Sequence, residues 1–192
     1  MDKDSIKSFF DTLASSWDEE MIKDDHIINK ILDDGHVDNC KVLDVACGTG
    51  VLIPYYLDRG CTVKGIDLSS EMIKIASNKY KDVEFICGDV EEYNGDKFDN
   101  IIIYNAFPHF IDRDKLIKHI ATLLNEGGYL NITHGMSREK INRHHSGKAS
   151  PYSKELCSGK ELADIMSKYF KVEKIVDNND YYHVLGKKTN FN

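Results

Sequence analysis

The chain has 192 residues, 41% of them hydrophobic and 30% charged, and a formal net charge of −7 at pH 7. That length fits one domain around a single buried core, and no apolar run is long enough to span a bilayer. A net negative chain repels polyphosphate backbones, which works against a nucleic-acid substrate. The opening residues MDKDSIKSFF lack the basic start and apolar centre of a secretory signal, so a cytoplasmic location is expected. Five cysteines, Cys40, Cys47, Cys61, Cys87 and Cys157, form no C-x-x-C pair and are expected to be buried reduced thiols.

Residues 4 to 17 place Ile6, Phe9, Phe10, Leu13 and Trp17 at helical spacing, which predicts an amphipathic helix with the phenylalanines in its core stripe. A second helix carrying Met21, Ile22, Ile28, Ile31 and Leu32 is expected to stop at Gly35. The run Val42, Leu43, Val45 is short and bounded by turn formers, as in a strand buried on both faces of a parallel sheet. Asp44 sits at its carboxyl end. Gly48 and Gly50 then permit a tight turn into a helix whose first turn tolerates Pro54 and which ends at Gly60. Cys61 to Ile66 reads as a second strand leading into Asp67. Ser69 or Ser70 caps a helix with Met72, Ile73, Ile75 and Ala76, and Val83 to Cys87 is a third strand, followed by Gly88-Asp89-Val90. Phe98 to Tyr104 is the fourth strand, Leu116 to Leu124 the helix behind it, and Tyr129 to Thr133 the fifth. Right-handed crossovers of this length demand a parallel, doubly wound sheet. Ser158 and Glu161 form a capping box ahead of Leu162, Ile165, Met166 and Tyr169. The runs Phe170 to Val176 and Tyr181 to Leu185, joined by the turn 177–180, make a hairpin. The expected fold is α/β: a doubly wound, mostly parallel seven-stranded sheet with an antiparallel last strand and helices on both faces.

The stretch KVLDVACGTG, Lys41 to Gly50, departs from the dinucleotide fingerprint G-x-G-x-x-G, because Ala46 and Ile53 stand where its first and third glycines would be. It resembles the D-x-G-x-G-x-G loop of class I (Rossmann-like) S-adenosylmethionine-dependent methyltransferases of the small-molecule type, in the variant D-x-A-C-G-T-G. Asp67 lies at the spacing from which a carboxylate reaches ribose hydroxyls, and Gly88-Asp89-Val90 resembles the family's adenine-reading acidic position. The resemblance covers roughly residues 36 to 187. It implies S-adenosylmethionine as cofactor, with Gly48 and Gly50 at its methionyl part, Asp67 at the ribose, Asp89 and Val90 at the adenine and Asn105 beside the methyl group. Trp17, Asp44, Ala46, Leu68 and Met72 complete the expected cofactor contacts. One methyltransferase domain, 1–192, is expected, with an N-terminal helical cap (1–35), a cofactor-binding core (36–134), a substrate lid (135–157) and a C-terminal helix and hairpin (158–192).

Methyl transfer from a sulfonium requires alignment and exclusion of water, and a base only where the acceptor must lose a proton. Asn105 to Phe110 follows the fourth strand at the carboxyl edge of the sheet, so His109 is expected as the base, with Phe107 and His109 bordering the acceptor. The alternative is a histidine hydrogen-bonded to a loop carbonyl. The segment departs from the N/D-P-P-Y motif of amino-group methyltransferases. His134 to Cys157 carries Arg138, Lys140, Arg143, Lys148 and Lys154 against Glu139 and Glu155. Its positive field would draw in a small anionic acceptor, touched by His134, Arg138, Arg143, His144 and His145; a solvated loop is the plainer reading. His134, His144 and His145 are also candidate metal ligands, although a metal is not the favoured reading because no H-x-x-x-H pattern supports it. The expected function is methylation of a small molecule at oxygen, nitrogen or sulfur by a monomer or homodimer, with no membrane or nucleic-acid partner. The alternatives are a non-catalytic S-adenosylmethionine-binding regulator, an RNA methyltransferase, and a nicotinamide-dependent oxidoreductase on the same sheet.

Overall fold

A computed structural model describes residues 1–147 and 149–189, so the expected lid residue Lys148 lies outside the described residues. Seven strands, β1 (Lys41–Val45), β2 (Thr62–Asp67), β3 (Glu84–Cys87), β4 (Phe98–Tyr104), β5 (Leu124–His134), β6 (Lys171–Asp177) and β7 (Tyr182–Lys187), form one sheet in the order β3-β2-β1-β4-β5-β7-β6. Every neighbouring pair from β3 to β5 is parallel, and β7 runs antiparallel to both β5 and β6. β5 begins five residues ahead of the expected Tyr129, with a register shift opposite Phe98 and Asn100 absorbing the extra length.

Alternation along the strands sends apolar side chains to both faces. Leu43, Val45, Ile101, Ile103, Leu130 and Ile132 pack against α6 (Arg113–Leu123) and α8 (Gly159–Met166), while Val42, Ile102 and Tyr104 pack against α3 (Asp25–Asp34) and α4 (Ile53–Asp58). Each such aliphatic side chain removed from water contributes about 1.5–3 kcal/mol. The capping box of α8 is present in full, and Ser69 caps α5 (Ser70–Lys79) by accepting from the Met72 amide. Across β4, β5 and β7 a buried polar ladder links three side chains and leaves His183 Nδ1 without a partner among the described residues. Asn100 donates to the Gly35 carbonyl at 2.8 Å, Asn131 donates to Asn100 at 2.8 Å, and His183 Nε2 donates to the Asn131 oxygen at 2.6 Å. A side chain at Gly35 would collide with Asn131.

The N-terminal segment differs from its expected single pair of helices. α1 (Lys3–Leu13) passes through a 3₁₀ turn into the short α2 (Trp17–Glu20), and the chain then leaves the helix at Met21. Met21 and Ile22 therefore do not belong to α3, and Ile22 is 77% exposed. Asp24 restarts the helix by accepting from the Ile27 amide, which outcompetes continuation of the apolar stripe. Phe9 and Phe10 are only half-buried, and neither belongs to the main core. Cys87 is exposed on the edge strand β3, against the expectation of a buried thiol, and all five cysteines are free. Among the described residues no helix is long and apolar enough to cross a membrane.

Candidate active site

The chain leaves β1 toward β2 and β3 on one side, then returns to β4 on the other, so the strand order reverses between the parallel neighbours β1 and β4. Ligands of open α/β sheets bind in the crevice at that switch. The residue immediately after each of these strands adopts a left-handed conformation, Ala46 with φ 56° and Asn105 with φ 55°. For non-glycine residues this costs free energy that surrounding contacts must offset, and such strain concentrates at functional sites. The Asn105 side chain supplies one such contact, accepting from the Gly135 amide at 2.9 Å.

A cavity of about 1070 Å³, counting its mouth, opens above this switch point. Of the expected cofactor residues, Trp17, Ala46, Gly48, Asp67, Leu68, Met72, Asp89, Val90 and Asn105 line it, and so does His109. Gly48, with φ 55°, offers open space where a side chain would project; the nearest atom is Trp17 Nε1 at 3.8 Å. Any Cβ there would enter the cavity. The carboxylate of Asp67 bridges two loops, one oxygen accepting from the Gly48 amide and the other from the Ser69 amide, both at 2.8 Å. Each oxygen retains a further lone pair for a ligand hydroxyl. Burial raises the Asp67 carboxyl above its ordinary value, while the two amides pull it back. A nucleoside with vicinal hydroxyls and a flexible polar tail fits this combination of open glycine and half-satisfied carboxylate.

Two expected contacts are elsewhere. Asp44 is 2% exposed and faces Tyr56 across the α4 side of the sheet, because in-out alternation in β1 turns it away from the cavity. Burial, with Asp67 nearby, pushes its carboxyl up to about 8. Gly50, with φ 86°, has the Tyr80 ring 2.9 Å from where its Cβ would be, so it serves close packing of the loop on α5.

The N-terminal helices roof the cavity and make a polar contact with each ligand loop. Asp18 accepts from Thr49 beside the glycine turn, Asp11 accepts from Ser69 at 2.6 Å, and Lys3 pairs with Asp89 and Glu91. Lys3, Lys7, Phe10 and Glu91 were not anticipated as cavity residues; only the neighbourhood of Asp89 in the sequence hinted at Glu91.

On the β4 side, His109 Nδ1 donates to the Tyr152 carbonyl at 2.8 Å, which fixes its proton on that nitrogen and leaves Nε2 as an acceptor. Burial lowers its pKa. Tyr152, in a 3₁₀ turn at Ser150–Tyr152, stacks on Phe9 with ring centroids 4.4 Å apart. The 135–157 segment is thereby tied to α1 above the cavity.

The rest of the expected acceptor set is not gathered there. Phe107 is fully buried, packs in the main core, and carries Arg113 over its ring, because the turn Phe107–His109 rotates it inward. Arg138 is bound to Asp177 at 2.9 Å and Arg143 to Glu139 at 2.5 Å, so neither reaches the cavity. In α7 (Arg138–His145) successive side chains diverge, leaving His144 exposed while His145 sits 5.0 Å from the His109 ring. His134 is fully buried against Tyr182 with neither ring nitrogen hydrogen-bonded, and burial beside His145 and His109 lowers it to about 3. Among the described residues no three His, Cys, Asp or Glu side chains are grouped to hold a metal ion, so the His134, His144 and His145 set does not assemble one.

A doubly wound sheet with such a cradle at its switch point defines an α/β protein that binds a nucleoside-bearing ligand. Residues 43–132 match the family described as a methyltransferase domain. The chain is 27% identical over 86% of its length to the ribosomal RNA small subunit methyltransferase A of Mycoplasmopsis synoviae, covering 63% of that protein. It is 28% identical over 90% of its length to malonyl-[acyl-carrier protein] O-methyltransferase 1 of Ilyobacter polytropus, covering 69% of that protein. The chain thus spans about two thirds of the length of these relatives. Its fold matches the N-methyltransferase NodS of Bradyrhizobium japonicum, crystallised with S-adenosyl-L-homocysteine, with a TM-score of 0.74 and 12% identity over 95% of this chain and 98% of that one. Residues 43–132 are thus similar to a methyltransferase domain, on a fold shared with that N-methyltransferase.

Proposed function

We propose that the protein transfers a methyl group from S-adenosylmethionine to a small-molecule acceptor, acting in the cytoplasm, with the acceptor's proton taken by His109. The observation that supports this most directly is the position of His109 Nε2, a lone pair in the same cavity as the Asp67 and Gly48 cradle. When bound, the cofactor supplies an electrophilic methyl group on a positively charged sulfur. In this reading Gly48 and Ala46 give room to the methionyl part, Asp67 accepts from the ribose hydroxyls, and Asp89, Val90, Leu68 and Met72 surround the adenine. Asn105 and His109 border the methyl group. The roof from α1 and α2 shields the cavity from water, which favours in-line displacement.

Relatives named for malonyl-[acyl-carrier protein] and for ribosomal RNA leave two acceptor classes open by homology. The net charge of −7 and the pairing of Lys3, Arg138 and Arg143 with carboxylates favour the small molecule over RNA. A cell extract incubated with the protein and methyl-labelled S-adenosylmethionine, followed by mass spectrometry, tests the reading. Labelled small-molecule product and S-adenosylhomocysteine are expected. Tight cofactor binding with no transfer to any component would instead support a regulator.

A further inference from the structure

The cavity's roof contains a continuous aromatic wall. Trp17, whose Nε1 lies over Gly48, meets Phe10 edge-on with centroids 5.8 Å apart, and Phe10 meets His109 edge-on at 4.9 Å. The wall therefore runs from the methionyl end of the cradle to the free nitrogen of His109. Among the described residues two lysines line the cavity, and both are committed, Lys3 to Asp89 and Glu91, and Lys7 to Asp11 at 2.6 Å. The arginines of the 135–157 segment are held outside by Asp177 and Glu139.

An acceptor with a charged tail would lose its hydration in this space without gaining an opposite charge from the protein, because the lysines and carboxylates beside the wall are already paired with one another. A flat ring, by contrast, gains stacking on the wall. We propose, resting on the methyltransferase reading, that the acceptor is an uncharged aromatic or heteroaromatic compound bearing a weakly acidic O–H or N–H, its ring against Trp17 and Phe10 and that group directed at His109 Nε2. The step balances without a further reactant. The acceptor's oxygen or nitrogen bonds to the methyl carbon, the carbon–sulfur bond breaks with its electron pair staying on sulfur, and the acceptor's proton moves to His109 and then to water.

Trp17 is the sole tryptophan, so its fluorescence reports directly on the wall. The intact protein saturated with S-adenosylhomocysteine is titrated with 4-ethylphenol, 4-hydroxyphenylacetate and tyramine, one ring carrying a neutral, a negative or a positive tail. The neutral compound is expected to quench Trp17 and to bind about tenfold or more tightly than either charged one, the ratio set by desolvating an unpaired charge. Phe10→Leu should weaken 4-ethylphenol severalfold while S-adenosylhomocysteine affinity stays unchanged. Equal affinities, a preference for a charged member, or an indifferent Phe10→Leu overturn the proposal and leave the methyltransferase reading standing. Failure of S-adenosylhomocysteine itself to bind overturns both.

Discussion

Removing the Asp67 carboxylate should separate its two tasks. Toward a ligand, two charge-assisted hydrogen bonds to ribose hydroxyls would be lost, at about 1.5–3 kcal/mol each, or roughly a hundredfold to ten-thousandfold in Kd. Toward the fold, the same carboxylate satisfies the Gly48 and Ser69 amides, so Asp67→Ala leaves two half-buried N–H groups unpaired. Each orphan costs about 1–3 kcal/mol, offset in part by relief of the burial that already raises this carboxyl. The motif alone argues that Ala would spare the fold; the two bridging amides argue that it would not. Asp67→Asn is the cleaner probe, because its single carbonyl oxygen still serves one amide while the anionic acceptor is gone. A loss of about 2 kcal/mol corresponds to a Tm lower by about 4–8 °C in a chain of this size. Calorimetric titration with S-adenosylhomocysteine, alongside thermal unfolding, measures both. A folded Asp67→Asn protein that binds at wild-type affinity would refute the ribose assignment, and an unchanged Tm for Asp67→Ala would refute the bridging role.

His109→Gln should lower kcat by about a hundredfold to ten-thousandfold on an acceptor that must lose a proton, with cofactor Kd unaltered; steady-state kinetics beside calorimetry shows the split. Tyr152→Ala removes the stack on Phe9 while keeping the carbonyl that holds His109, so kcat should fall severalfold and Tyr152→Phe should restore it. Stability should also peak between about pH 6 and 7. Asp44, raised from its ordinary value to about 8, binds a proton in the folded state that the unfolded chain has released, so from about pH 4 to 8 it removes stability as pH rises. His134, His145 and His183, lowered to about 3, 4 and 4, do the reverse: the unfolded chain binds protons below about 6.5 that the folded one cannot, and stability falls as pH drops through that range. Above 6.5 Asp44 acts alone among these four, and below it three histidines outweigh one carboxyl. Thermal midpoints across pH check the peak, and Asp44→Asn should flatten its alkaline side.

The elements that the sequence makes plain are those governed by local rules. β4 begins and ends where the run Phe98 to Tyr104 does, Ser69 caps α5, and the Ser158 and Glu161 box caps α8, because burial periodicity and caps act over a few residues. The cofactor side was legible for the same reason. Asp67 is the last residue of β2, and Gly48 and Asp89 lie within three residues of the ends of β1 and β3, so motif spacing translates into position once the strands are parallel. Asp44 and Gly50 sit in the same motif yet miss the cavity, since a one-residue step along a strand or a turn reverses the direction of a side chain.

The acceptor side follows another logic. Its walls come from residues far apart in the chain, Phe10 and Trp17 from the roof and His109 from the turn after β4, the last held by the Tyr152 carbonyl from beyond α7. Helical spacing identifies Phe9 and Phe10 as apolar but cannot say whether they face the sheet or a ligand, because both burials look alike in one dimension. The basic run from Arg138 to Lys154 misleads in the opposite way. Its charge is visible in sequence, but the pairing of two of its cations is not: Arg138 meets Asp177 of β6, and Arg143 meets Glu139 one helical turn away. A positive stretch thus marks an anion site only when its cations lack partners in the fold, and here Arg138 and Arg143 have them. On the acceptor proposed above, the preference of the cavity would be set by what its roof leaves uncharged, the aromatic side formed by Phe10 and Trp17, and not by the lid's formal charge.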